Sequence, residues 1–219
     1  MTVRMQGRVA GLIYLGLVLT GVFTLAYAPG KLIVDSDPAA TAGAISENIA
    51  LFRAANYAAI AMCAFFLALP FALARFLSPY GKTAAGMMIL FVATSIPVTL
   101  LAIAQHFALA DMAAAGGATA AETAGRLAAY DKWMDMASIF WGLWLAPLGW
   151  LILKSGAIPR TLGVLLLLGC LGYVANYFGP IVYDGFRDLP YRGYISKAGS
   201  IGEIGTCLWL CVMGARAAN

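Results

Sequence analysis

Glu203 stands within an apolar stretch, Ala198 to Ala215, long enough to cross a membrane, and a carboxyl group in that setting needs a partner. Ser196, Ser200, Glu203 and Cys207 recur at i, i+4, i+7 and i+11, so a helix carries them on one face. Gly199, Gly202 and Gly205 between them let neighbouring backbones approach. An ionisable group at a helix centre costs about 2.5–3.5 kcal/mol on insertion scales, so Glu203 is expected to face inward and to hydrogen-bond or stay protonated. His106 is the sole histidine. Sharing a proton with Glu203 or Asp135, it would form a pair whose charge changes near neutral pH.

Other apolar stretches carry polar stripes of the same kind: Ser95, Thr99 and His106 with Gln105 beside it; Asp131, Asp135, Ser138 and Gly142; Gly172, Asn176, Gly179 and Tyr183; and Asn56 with Tyr57. At about 1.5 Å per residue these groups fall in the outer half of the hydrocarbon. The candidate site is therefore His106, Asp135, Asn176 and Glu203 with Asn56 and Tyr57. Its chemistry would be binding or translocation of a small polar solute, ion or proton. The alternative is structural: the same groups hydrogen-bond across helices and hold the bundle together.

Several other chemistries lack their residues. One histidine without ligand-like spacing does not make a zinc or di-metal site, and bis-histidine haem needs a second histidine. No GxSxG is present for a serine hydrolase, which leaves Ser95 and Ser138 as candidates by proximity alone. No metal or cofactor is expected. Cys63, Cys170, Cys207 and Cys211 fall inside apolar stretches without a CxxC and read as small apolar fillers.

The elements that must position these groups follow from composition. Hydrophobic residues make up 62% of the 219 and charged residues 11%, with a mean hydropathy of +0.84. These values point to an integral membrane protein. Apolar runs at 9–28, 54–76, 84–110, 133–153, 162–183 and 198–215 predict an all-α, six-transmembrane-helix bundle in a single domain spanning 1–219. The net charge of +4 is scattered in ones and twos at helix ends, so no nucleic-acid partner is expected.

Seven Lys/Arg fall on each side of the bundle. Those on the side of the N-terminus (Arg4, Arg8, Arg75, Lys82, Lys154, Arg160, Arg216) sit in short loops without Asp or Glu. The positive-inside rule then places both termini in the cytoplasm. The first run closes on Ala26-Tyr27-Ala28, a cleavage-site pattern, but Pro29 follows and the run is long for a signal peptide, so it reads as a retained helix.

Asp37 before Pro38 predicts a helix start, and that helix is expected to run into the second span with Thr41, Ile45, Ile49 and Phe52 on one side of a short amphipathic, extracytoplasmic segment. Pro70, Pro97, Pro147 and Pro180 predict kinks in helices two to five. After Gly116-Gly117, Thr119 and Glu122 form a capping box, and Glu122 is spaced to pair with Arg126. The helix they start is expected to continue through Tyr130 into the fourth span. Trp133, Trp150, Trp209, Tyr130, Tyr183, Tyr191 and Tyr194 read as interfacial aromatics, with Trp141 and Trp144 deeper.

At AGLIYL (Ala10 to Leu15), at Asp37, Thr41 and Ile45 with Phe52-Arg53, and at KSGAIPRTLG (Lys154 to Gly163) followed by Gly172-Tyr173, the chain resembles a bacterial membrane family known as domain of unknown function 4386. The likeness runs from about Val9 to Tyr183. It implies a helical inner-membrane protein and no particular activity. The family often places a histidine ahead of the aromatic-glycine pair matched by Trp141-Gly142, where this chain has Asp131 and Asp135. SGAIPRTLG itself predicts a tight cytoplasmic turn, ended by Gly156 and re-entering a helix near Gly163.

Three functions are compatible with these residues: a protein that binds or moves a small polar solute or proton, an accessory protein that holds a membrane partner or a second copy through its glycine-rich faces, and an enzyme acting on lipid at the outer leaflet. The lipid bilayer is a partner in all three.

Overall fold

A computed structural model describes residues 1–189 and 192–216, and the described residues form helices joined by short turns. The helices are α1 (Val3–Val22), α2 (Pro29–Leu32), α3 (Pro38–Glu47), α4 (Ile49–Leu77), α5 (Lys82–Ala114), α6 (Ala120–Leu143), α7 (Leu145–Ser155), α8 (Arg160–Val182) and α9 (Arg192–Val212). A π-helical turn, Phe23–Tyr27, carries α1 on toward α2. Tyr191 lies outside the described residues, as do the side chains of Tyr194 and Ser196.

Local chemistry accounts for most boundaries. Asp37 Oδ1 accepts from the Ala40 amide at 2.9 Å and Pro38 takes the first helical position, so α3 begins where the sequence predicts. The helix does not run on into α4. Asn48, at φ −120° and ψ 37°, leaves the helical region, and its Nδ2 donates to the Ala44 carbonyl.

The Thr119 amide and hydroxyl donate to Glu122 Oε2 at 2.9 and 2.7 Å, and the Glu122 amide donates back to Thr119 Oγ1. From this capping box α6 continues unbroken past Tyr130. Pro70, Pro97 and Pro180 are housed inside α4, α5 and α8. Pro147 lies just past the junction at Trp144, where α6 ends at Leu143 and α7 starts at Leu145. Trp144 keeps helical dihedrals, and the Trp144 and Leu148 amides still donate four residues back, so the two helices form one bent stretch. Gly156, at φ 62°, ends α7 in the left-handed conformation that glycine tolerates.

Five helical stretches among the described residues are long and apolar enough to cross a membrane: Val3–Leu32, Ile49–Tyr80, Lys82–Ala114, Ala120–Ser155 and Arg160–Val182. They outrun the apolar runs of the sequence because polar flanks join the same helices. The sixth run forms α9, 21 residues long, which stands apart from the five because Lys197, Glu203 and its glycines dilute its apolar character.

Two compact units divide the chain. Unit 1 comprises Met1–Leu15, Phe65–Ile96 and Ala137–Asn219; unit 2 comprises Gly16–Ala64 and Pro97–Met136. In unit 1 glycine sets helix spacing. A Cβ on Gly7 would collide with the backbone of Ala215, one on Gly11 would fall 2.5 Å from the Cys211 amide nitrogen, and Gly169 and Gly199 meet backbone to backbone. Gly149 and Gly163 likewise bring α7 onto α8.

Trp144 fills the interior of this unit, with Tyr14 and Phe66 edge-on at ring distances of 6.2 and 5.3 Å. One end of unit 1 gathers distant parts of the chain. Arg4 Nε donates to the Met213 carbonyl and Arg8 to that of Val212, both at 3.2 Å, while the Arg216 amide donates to Ala157 at 2.9 Å. Gly81 of the α4–α5 turn lies against the Trp150 ring at the same end of α7.

Unit 2 is built around Ala28, Leu32, Ile45, Phe52, Ala55, Leu109 and Ala110, with Phe23, Ile49 and Leu127 packed on them. Thr41, buried in α3, ties that helix to the preceding loop by accepting from the Val34 amide at 2.9 Å.

Candidate functional site

In unit 2, α4, α5 and α6 each bury one polar side chain that has an atom without a hydrogen-bond partner among the described residues: Asn56 Nδ2, His106 Nε2 and Thr123 Oγ1. Asn56 is 2% exposed, His106 8% and Thr123 0%. A buried polar group left unpaired costs about 1–3 kcal/mol, so such groups accumulate where something outside the chain satisfies them.

The imidazole is held by its aromatic neighbours. The His106 ring stacks on Tyr130 with centroids 3.7 Å apart and planes at 5°, and Phe52 lies against it at 5.3 Å and 50°. Phe52 and Asn56 are one α4 turn apart, about 6 Å along the axis, so the Asn56 amide sits one turn along α4 from the contact with His106. Thr123 is two turns from Tyr130 on α6, about 10 Å along.

Arg126 Nη1 donates to Gln105 Oε1 at 2.9 Å, which joins α6 to α5 beside His106. Glu122 and Arg126 attract each other electrostatically, as their spacing predicts, while the Arg126 hydrogen bond goes to Gln105 and the Glu122 carboxylate accepts from Thr119.

The remaining residues of the six are divided between the two units. Asp135 lies on α6 in unit 2, exposed. Tyr57, also in unit 2, is 67% exposed and contributes a ring contact with Phe107 at 5.5 Å, so its side chain faces outward.

Asn176 and Glu203 belong to unit 1. There the Tyr14 hydroxyl donates to Glu203 Oε1 at 3.3 Å, and Cys207, one turn along α9, lies against the Gly11 carbonyl at 4.0 Å. Glu203 thus has its partner on α1. Because Gly169 meets Gly199 and Gly205 meets Leu162, the part of α8 level with Glu203 is near Leu165. Asn176 is eleven residues further along α8, about 16 Å away.

Thr123 escapes the sequence reading, which takes its neighbourhood as a helix start. The spacing of seven to Tyr130 is the signal that places it on the same α6 face. Among the described residues no three His, Cys, Asp or Glu side chains gather as metal ligands, and the four cysteines are free thiols. The arrangement can offer hydrogen bonds: Asn56 Nδ2 donates, and His106 Nε2 donates or accepts according to its tautomer.

The chain belongs to the family described as Domain of unknown function (DUF4386), whose model matches residues 9–214. The match reaches beyond Tyr183, the limit set by the sequence motifs, and takes in all of α9. An uncharacterized protein of Archaeoglobus fulgidus is 32% identical over 91 residues, covering 40% of this chain and 50% of that protein. The chain thus spans about half the length of the curated relative it matches. No solved structure matches the chain significantly.

Proposed function

We propose that this chain is a multi-pass protein of the bacterial cytoplasmic membrane that binds a small polar solute or ion within unit 2, at His106 and Asn56. The observation that carries the reading is the pair of buried side chains, Asn56 and His106, whose Nδ2 and Nε2 have no partner among the described residues. A bound molecule that accepts from Asn56 and meets His106 Nε2 would satisfy both, with the Tyr130 and Phe52 rings as walls. Asp131, next to Tyr130 on α6, and Asp135 one turn further along would favour a cationic or amine-bearing ligand.

The membrane reading is supported by the apolar residues left on the surface of the long helices, among them Leu12, Leu19, Ile60, Phe71, Leu90 and Leu171. As a sixth span α9 has the length, about 31 Å, and packing against α8 and α1 lessens its need for an apolar surface all round. With six spans both termini are cytoplasmic, and the acid-free arginines at one end of unit 1 suit that side of the bilayer.

An accessory role through glycine-rich faces draws less support, since Gly7, Gly11, Gly169, Gly199, Gly202 and Gly205 are covered by the chain's own helices. The Tyr14–Glu203 contact is read as a tie between α1 and α9.

The test is mass spectrometry of small molecules retained by the purified protein, compared with His106→Phe and Asn56→Leu. His106→Phe keeps a ring against Tyr130 and deletes both ring nitrogens. A molecule retained by the parent and lost from both variants is the expected result. Identical retained molecules in all three, with both variants more stable than the parent, would show that these groups serve no ligand.

A further inference from the structure

The end of unit 1 where Arg4, Arg8 and Arg216 meet the α7–α8 turn contains a cavity of about 810 Å³. Its lining includes Arg4, Arg160 and Arg216 with Thr2, Ser155 and Trp209, and no Asp or Glu among the described residues. Three arginines around one space repel each other, and no carboxylate among the described lining residues offsets them. Guanidinium offers a planar fork of donors that matches phosphate oxygens.

Two features bring further donors. The Trp209 indole Nε1 is buried without a partner among the described residues, and Arg216 lies over the Trp209 ring at 4.7 Å, which braces both. Helix α8 starts at Arg160 with no side-chain cap; its Leu162 amide donates to the Pro159 carbonyl at 3.0 Å, which leaves the Arg160 and Thr161 amides to face an anion beside a lining residue. Ser155 is occupied, since its hydroxyl donates to Ile152 and accepts from Ala157, and it acts as wall.

We infer that this cavity is an anion site for a phosphoryl group, held by Arg4, Arg160 and Arg216 with Trp209 Nε1 as a further donor. It is separate from the site in unit 2, because its residues all belong to unit 1. A phosphoryl group at this place comes from one of two sources, the headgroup of an anionic phospholipid in the surrounding leaflet or a soluble phosphate compound.

The experiment titrates inorganic phosphate into the full chain in neutral detergent and follows tryptophan fluorescence, with Trp209→Phe to assign the signal. It then repeats the titration in nanodiscs of phosphatidylcholine with and without phosphatidylglycerol. The expected result is a saturable change that Trp209→Phe removes, that weakens at least tenfold in Arg160→Gln, and that weakens with added chloride. Arg160 is the chosen variant because Arg4 also caps the α9 carbonyls and its loss would perturb the fold.

Suppression of the phosphate signal by phosphatidylglycerol assigns the site to the lipid headgroup, and an undiminished signal assigns it to a soluble phosphate; both support the inference. Two results overturn it: no saturable response in either medium together with no phosphatidylglycerol retained in native mass spectra, or a response unchanged in both Arg160→Gln and Arg216→Gln.

Discussion

Removing the Tyr14 hydroxyl is the most direct way to ask what Glu203 does. Tyr14→Phe keeps the ring, which stays packed edge-on against Trp144, and deletes only the donor to Glu203 Oε1. At 3.3 Å the contact is long for a hydroxyl donor, whose usual range ends near 3.0 Å, so its value falls at the low end for hydrogen bonds to an acidic group. About 1 kcal/mol is the expected loss.

The measurement is a double-mutant cycle in detergent, with unfolding followed for the parent, Tyr14→Phe, Glu203→Met and the double variant. Methionine is close to glutamate in shape and offers no strong acceptor, so the cycle cancels the change in packing and leaves the pairwise contribution. A coupling of about 1 kcal/mol is expected. A coupling below about 0.3 kcal/mol, within the additivity seen for independent sites, would refute the reading of Glu203 as a tie between α1 and α9.

Two further outcomes follow from the packing and the charge distribution. Gly169→Ala or Gly199→Ala places a methyl group against the backbone of the other helix and is expected to cost about 1–3 kcal/mol in detergent unfolding, whereas Gly86→Ala, with open space around it in α5, is expected to gain about 0.5–1 kcal/mol from helix propensity. Similar destabilisation at all three positions would contradict the α8–α9 contact. For topology, cysteines introduced at Ser36 and Ala115 should react with a membrane-impermeant maleimide in intact cells and one at Lys154 should not, with Cys63, Cys170 and Cys207 silent because they are buried. The reverse pattern would invert the orientation proposed here.

The local devices of this fold are legible before any coordinates. Asp37 with Pro38, Thr119 with Glu122, and Gly156 all act through groups within four residues of themselves, and each forms the cap its residue types require. Hydrophobic runs of about twenty residues likewise announce long apolar helices whatever lies beside them. The break at Asn48 was not legible, because a single asparagine between two helix-forming segments is compatible with either a continuous or a divided helix.

The amino-acid sequence by itself determined an all-helical chain, its caps, its turns and its family. Only the tertiary structure decided that Glu203 answers to Tyr14, 189 residues away, and that the lone histidine lies flat on Tyr130. The physical reason is that a lipid-facing position and a core position are both satisfied by leucine or alanine, so periodicity gives little sign of which way a membrane helix is turned. Rotation and axial register are set instead where backbones touch, at contacts such as Gly11 with Cys211 and Gly169 with Gly199, between residues that no local pattern connects.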